Sequence, residues 1–470
     1  MGLGGKVLRK NIFHDIIYEF STVQAFCLRE VIMNKKLLLL SVFTVLGCGV
    51  STASYATTIQ ESVSNAIASH PSVETALAGK VIAKENREEA FSGYFPQISA
   101  GATAGRIYAD NTTSRGLTVD RGAGYSWLGE GNIAITQPLF KGMETANRVD
   151  AAEARGQVAD FTVANVKESL ALQAAQSHIT AFQAQDKIAK IDMQIREMKS
   201  YQDRIQLLVD EGAADESEIT QAQNIILALE EGRIDTEGQL KAALARYHEV
   251  VGHYPKSKLQ PVPSVNSMIN PDPDVVISSL QAHPSIKAGA HEIEAVGHDV
   301  RVEQSGYYPT LDSELSYLKR DQRDLIGGES EDGRAVLRMG WEFETGGAQS
   351  ARVRRARAQY SEAVSQNRET LKQIEGAVRR AYAEYETAEK QKIAIKKRRD
   401  VTQQLFTTYE TQFEGAQVRL LQLMQGKSQL FNTDLELLDA NYRSVIAQYS
   451  ILASLGSLEK NISNIGRVQE

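Results

Sequence analysis

The stretch Gln349 to Phe413 contains no proline, and its only glycine is Gly376. Within it Tyr360, Val364, Asn367, Leu371, Ile374, Val378, Ala381, Tyr385 and Ala388 recur at alternating steps of four and three. That is a heptad seam sustained along one helix. Proline would interrupt such a helix, and none occurs. At 1.5 Å per residue the helix is roughly 100 Å long, too long to lie inside a compact domain. It ends at Glu414-Gly415-Ala416, where glycine suits a left-handed cap.

A second stretch has the same plan. Thr145 to Leu208 is free of proline, carries a seam through Ile188, Ile191, Ile195, Met198, Ile205 and Leu208, and ends at Glu211-Gly212-Ala213. A shorter heptad helix follows each glycine. The first runs from Ile219 through Ala222, Ile226, Leu229 and on to Val250, and the second from Met424 through Ser428, Phe431, Leu435 and on to Leu452. The spacing predicts two very long antiparallel helical hairpins, one the duplicate of the other.

The duplication extends beyond the hairpins. Ser69-His70-Pro71-Ser72-Val73 is echoed by Ala282-His283-Pro284-Ser285-Ile286, and Gly93-Tyr94-Phe95-Pro96 by Gly306-Tyr307-Tyr308-Pro309. The first repeat is expected over 57–252: a helix interrupted near His70-Pro71, a strand pair within 97–140, and a hairpin over 145–251. Residues 253–274 hold five prolines and lack periodicity, so they read as a linker. The second repeat is expected over 275–456, with a strand pair within 309–344, a hairpin over 347–456 and a tail over 457–470.

Net charge matters here for what it excludes. The chain carries −7 over 470 residues. Residues 1–56 hold six Lys or Arg and three Asp or Glu, so the remainder carries −10. Phosphate backbones need a basic surface, and no nucleic-acid partner is expected. Met33-Asn34-Lys35-Lys36, the apolar run Leu37 to Val50 and Ser54-Tyr55-Ala56 make a signal peptide over 33–56. Residues 1–32 are then expected to be an upstream extension from a mis-assigned start. The only cysteines, Cys27 and Cys48, would both be lost on cleavage, which leaves neither a disulfide nor a cysteine metal site. Acylation of Cys48 is the alternative fate of this segment.

Each repeat supplies two antiparallel strands, giving four per chain. Four strands leave two open edges and cannot close a barrel. They are nonetheless long enough to cross an outer membrane when tilted, and aromatics gather near their ends: Tyr94, Phe95, Tyr108, Tyr125, Trp127, Tyr307, Tyr308, Tyr317, Trp341 and Phe343. Several copies would have to share one barrel; three would supply twelve strands. The order of signal peptide, helix, strand pair, long hairpin and proline linker, repeated once, resembles the TolC-like outer-membrane efflux family. The paired Gly-Tyr-aromatic-Pro motifs, Gln137-Pro138-Leu139-Phe140-Lys141-Gly142 and the glycine turns at Gly212 and Gly415 carry that resemblance over Thr57 to Gly456. It implies an α+β membrane protein: a homotrimer with a 12-stranded transmembrane β-barrel in outer-membrane lipid, four strands per protomer, continued by a long periplasmic α-helical barrel. It also implies a periplasmic adaptor and an inner-membrane ABC or proton-driven transporter as partners. Trp341-Glu342-Phe343-Glu344-Thr345-Gly346 lacks the proline that the family has at this strand exit.

No phosphate loop, nucleophile elbow or metal-spaced cluster is present in the sequence, so neither an enzyme nor a cofactor is expected. The interest falls on the hairpin tips, the end farthest from the strands. Glu211, Gly212, Ala213, Glu414, Gly415 and Ala416 are candidates for adaptor docking. Asp215, Glu216, Ser217, Glu218, Gln417, Leu421 and Met424 are candidates for an entrance gate. Asp215 and Glu218 fit a capping box; in a trimer they would also form an acidic ring, with Leu421 and Met424 as an apolar narrowing. The expected function is the exit duct of a tripartite export machine. Type I protein secretion leads, small-molecule efflux is the alternative, and a structural periplasmic coiled coil is the distant one.

Overall fold

The computed structural model describes residues 57–109, 124–323, 329–415 and 417–462. The expected signal segment and upstream extension, Cys27, Cys48, Ala416 and the last residues of the expected tail lie outside them.

Two short helices open each repeat. In the first, α1 (Ile59–Ser69) is followed directly by α2 (Pro71–Ser92). The break is chemical. His70 is extended, its ring accepts the Ser72 N–H, and Pro71 occupies the first helical turn, where its missing N–H costs nothing. The second repeat uses the same device. His283 accepts the Ser285 N–H at the start of α6 (Pro284–Ser305), behind the short α5 (Pro273–Ser278).

The strands are β1 (Gln97–Ala109), β2 (Gly124–Lys141), β3 (Thr310–Arg323) and β4 (Glu329–Gly340). They form one antiparallel sheet in the order β1-β2-β3-β4, so β1 and β4 are open edges. The second strand pair is expected within 309–344, and its last strand ends four residues earlier. It stops at Gly340 because Trp341 leaves the ladder: its indole donates to the Tyr307 carbonyl at 3.3 Å and its ring packs on Phe343. The register joins Ile98, Ile135, Leu315 and Ala335 in one row across the sheet. Thr103, Glu130, Arg320 and Ser330 form a row of opposite parity. One face is therefore apolar and the other polar, and the polar face holds the pairs Arg320–Glu130 (2.8 Å) and Arg338–Glu314 (2.6 Å). No strand residue whose side chain is described is buried.

The long hairpins are α3 (Glu144–Asp210) with α4 (Glu216–Val251), and α7 (Ala348–Glu414) with α8 (Leu420–Ser454). Helices α3 and α7 are both 67 residues long, about 100 Å each. Next to the strands α2, α3, α6 and α7 pack in sequence; farther down α4, α3, α8 and α7 do so. The main core lies where these layers meet. There Ala171, Ala174, Ala175 and Ile179 of α3 bring the helix close to Ile59, Ala66, Tyr247, Val250 and Tyr449. The small residues let the helices approach, and the large ones fill the space between them. Residues expected to be a plain tail enter this core: Leu458 and Ile462 are buried, and the buried Glu168 carboxylate accepts the Leu458 and Glu459 N–H groups.

No helix among the described residues is long and apolar enough to cross a membrane.

Candidate functional site at the hairpin tips

The two tips end their long helices in different ways. At the first, the Gly212 N–H donates to Val209 O (2.9 Å) and the Ala213 N–H to Leu208 O (2.7 Å). This pair of bonds requires a left-handed residue at position 212, and Gly212 has φ +75°. At the second, the Gln417 N–H donates back to Gln412 O (2.8 Å), so the turn closes one residue later. Gly415 therefore sits at φ −83°, which any residue adopts, and the expected left-handed cap at Gly415 is not there. Ala416 lies outside the described residues; Glu211 and Ala213 are exposed, as is Glu414.

Asp215 caps α4: its Oδ1 accepts the Ser217 N–H at 2.7 Å. Those bonds with Ser217 hold the Asp215 carboxyl below its usual range. Only half of the expected capping box forms. The Glu218 side chain does not turn back to the cap; its Oε1 accepts from Arg419 Nη1 at 3.1 Å. Glu218 is 4% exposed, whereas Asp215, Glu216 and Ser217 all face solvent. Arg419 is itself the residue preceding α8, in an extended conformation without a side-chain cap. One ion pair thus ties the start of α4 to the start of α8. Beside it, Gly212, Asp215, Glu218, Phe413, Gln417 and Arg419 line an open cleft of about 640 Å³.

Beneath the ion pair is a shared apolar core. Met198 and Ile205 of α3, Ala222 and Ile226 of α4, Phe406 of α7, and Leu420, Leu423 and Met424 of α8 pack together. Met424 is fully buried there and Leu421 is 8% exposed, so both side chains already have neighbours within one chain. The guanidinium of Arg204 lies over the Phe413 ring at 5.6 Å, a further tie between the hairpins. The structure thus brings Asp215, Glu218 and Gln417 to one cleft and puts Met424 behind it. Sequence reasoning missed Arg419. The signal available was a lone cation between the apolar Val418 and Leu420-Leu421.

Nothing in this geometry is a catalytic constellation, and among the described residues no group of His, Cys, Asp or Glu could hold a metal ion. What the tips offer is a charged rim on a jointed wall. The sequence pattern of the outer membrane efflux proteins matches residues 62–253 and 275–457, both halves of the duplication.

The chain belongs to the outer membrane efflux protein family.

Members of this family are transport conduits of the outer membrane rather than enzymes. As an outer membrane efflux protein the chain is 24% identical over 393 residues to the outer membrane efflux protein BepC of Brucella suis biovar 1 (strain 1330), covering 82% of each. It is 22% identical over 436 residues to the outer membrane protein TolC of Escherichia coli (strain K12), covering 88% of this chain and 85% of that one. Among solved structures it superposes on CusC with a TM-score of 0.72 at 15% identity, over 89% of this chain and 96% of that one. That likeness is one of fold, reached with a largely different sequence.

Proposed function

We propose that three copies of this chain form the outer-membrane exit duct of a tripartite export machine. The observation that carries the reading is the sheet. It has two unpaired edges, one apolar face and one polar face, and none of its described side chains is buried. An isolated sheet of this kind is unstable in water, because it has no core and exposes a row of unpaired backbone groups at each edge. Three copies joined edge to edge close twelve strands, with the apolar face toward lipid and the pairs Arg320–Glu130 and Arg338–Glu314 toward the lumen. The aromatics support the same placement. Tyr94 and Phe95 at one end of β1 and Tyr108 at the other are all exposed. They stand about 40 Å apart along the strand, or about 30 Å along the axis of a tilted barrel, close to the spacing of two interfacial girdles.

The hairpins then extend into the periplasm, and their tips form the entrance that meets an adaptor and an inner-membrane transporter. Asp215 and Glu216 are exposed acids of the entrance beside Glu211 and Glu414 of the turns; the pair supplies six carboxylates to a three-copy ring, and they favour cations. Glu218 and Arg419 fasten one hairpin to the other, while Leu421 and Met424 act on the entrance from inside the wall. The cargo reading is protein passed on by an ABC transporter of the type I secretion class. Small-molecule efflux is the second reading, and the name of the relative BepC favours it.

Deleting the gene tests both. Loss of one large exported protein from the medium, with unchanged sensitivity to dyes and detergents, supports secretion. Sensitised cells with an unchanged secretome support efflux. A deletion that alters neither would overturn the duct.

A further inference from the structure

The open edges of the sheet continue into the helices. Beside the strands, contacts run from α2 to α3, from α3 to α6 and from α6 to α7, so α2 and α7 are the outer members of this layer. Chain order places β1 directly after α2 and β4 directly before α7. One edge of the chain is thus α2 with β1, and the other is α7 with β4.

These two helix flanks are complementary. Helix α2 turns Lys80 and Arg87 toward Asp160 and Glu153 of α3. By helical spacing its opposite side carries Ala78, Val81, Ile82, Glu85 and Glu89. Val81 and Ile82 are 57% and 61% exposed, an apolar pair with nothing over it. Helix α7 buries Val353, Ala356 and Ala363 on the side of α6. Its opposite side carries Arg354, Ala358, Ser361 and Ser365: a cation followed by small residues. Among the described residues, the ion pairs include neither Glu89 nor Arg354; Arg354 donates to Ser350 Oγ on its own helix at 3.2 Å.

The levels also match. The antiparallel pairs Lys80–Asp160 and Arg87–Glu153 set Glu89 level with Ala151 of α3. The ion pair Arg155–Asp299 and the stacked rings of Phe161 and His291 bring that level to Arg301–Glu303 of α6. Glu303 is paired with Arg355, which brings it to the first turns of α7, around Arg354. Rotation about a three-fold axis leaves level unchanged, so Glu89 of one copy and Arg354 of the next stand at the same height.

We propose that the α7 flank of one copy docks on the α2 flank of the next, with Arg354 paired to Glu89 and the small residues Ser361 and Ser365 receiving Ile82 and Val81. The occupant of each flank is a second copy of this chain, and the inference rests on the three-copy reading above. The seam continues the β1–β4 junction down from the membrane, so that barrel and helical wall close along the same line.

The test uses the full chain in native outer membranes. Glu89→Cys and Arg354→Cys together should give, under mild oxidation, disulfide-linked species ending at three copies on non-reducing gels. Either substitution alone should leave single chains. Parent trimers on native gels together with no cross-link in the paired variant would overturn the docking and leave the duct standing; a monomeric parent would overturn both. Charge exchange gives an independent readout. Glu89→Arg or Arg354→Glu alone should lower the temperature at which trimers dissociate in detergent, and the two together should restore it. Single variants as heat-resistant as the parent would also overturn the pairing.

Discussion

Gly212 and Gly415 occupy matching places in the two repeats and do different work. Only Gly212 is left-handed, because its turn closes between Ala213 and Leu208, whereas the other closes between Gln417 and Gln412. Gly212→Val should therefore strain the first tip by about 1–2 kcal/mol and impair export, with assembly intact. Gly415→Val should behave as the parent, since a Cβ there meets nothing nearer than 3.7 Å. Equal defects in an export assay would refute the distinction. The sequence shows both glycines but not their φ, because a one-residue shift of a hydrogen bond leaves no trace in spacing. The Glu218–Arg419 pair was equally hidden: the partners lie in different repeats and share no periodicity. Arg419→Ala should leave Glu218 buried without its cation. Arg419 is largely exposed, so the stability cost should be only about 1 kcal/mol after screening by solvent. The expected signature is a higher resting conductance in bilayer recordings; a closed-state conductance equal to the parent's would argue that the tie does not restrain the entrance.

At the scale of elements, the long helices were legible because a proline-free heptad seam admits little else. The strand ends were less so, because Trp341 continues the apolar alternation of β4 yet turns out of the ladder. The anchoring of α1 was not legible at all. His178, one of the scattered histidines in the sequence, is fully buried on α3. Its Nε2–H donates to Gln260 O (3.1 Å), and its Nδ1 accepts from Ser62 Oγ (2.8 Å), which in turn accepts from Tyr247 OH (2.9 Å). One side chain thus joins α1, α3, α4 and the linker. Burial pushes its pKa down from 6.5 to about 4. The unfolded histidine takes up a proton near pH 6.5 and the folded one only near pH 4. The stabilisation is therefore complete above about pH 6.5 and is lost as pH falls from there toward 4, up to about 3 kcal/mol. Protection of α1 amides, expressed relative to their intrinsic exchange rates at each pH, should fall between pH 7 and pH 5. His178→Gln should flatten that dependence, and an equally steep dependence in the variant would place its origin elsewhere.

At the scale of the whole molecule, duplication and open edges state the architecture. The paired His-Pro and Gly-Tyr-aromatic-Pro motifs mark the repeat in the sequence. The edges required the sheet order, because four strands can pair in more than one way. Both facts support the proposed duct: unpaired β1 and β4, an uncovered apolar sheet face and uncovered flanks on α2 and α7 are the surfaces that further copies and lipid would cover. The most direct measurement is planar-bilayer recording on the detergent-purified protein of defined copy number. A three-copy species should insert and conduct in discrete steps, cation-selective at neutral pH, with selectivity reduced by Asp215→Asn together with Glu216→Gln. A monodisperse single chain with native helix content, or a trimer that leaves the bilayer at its baseline conductance, would contradict the account.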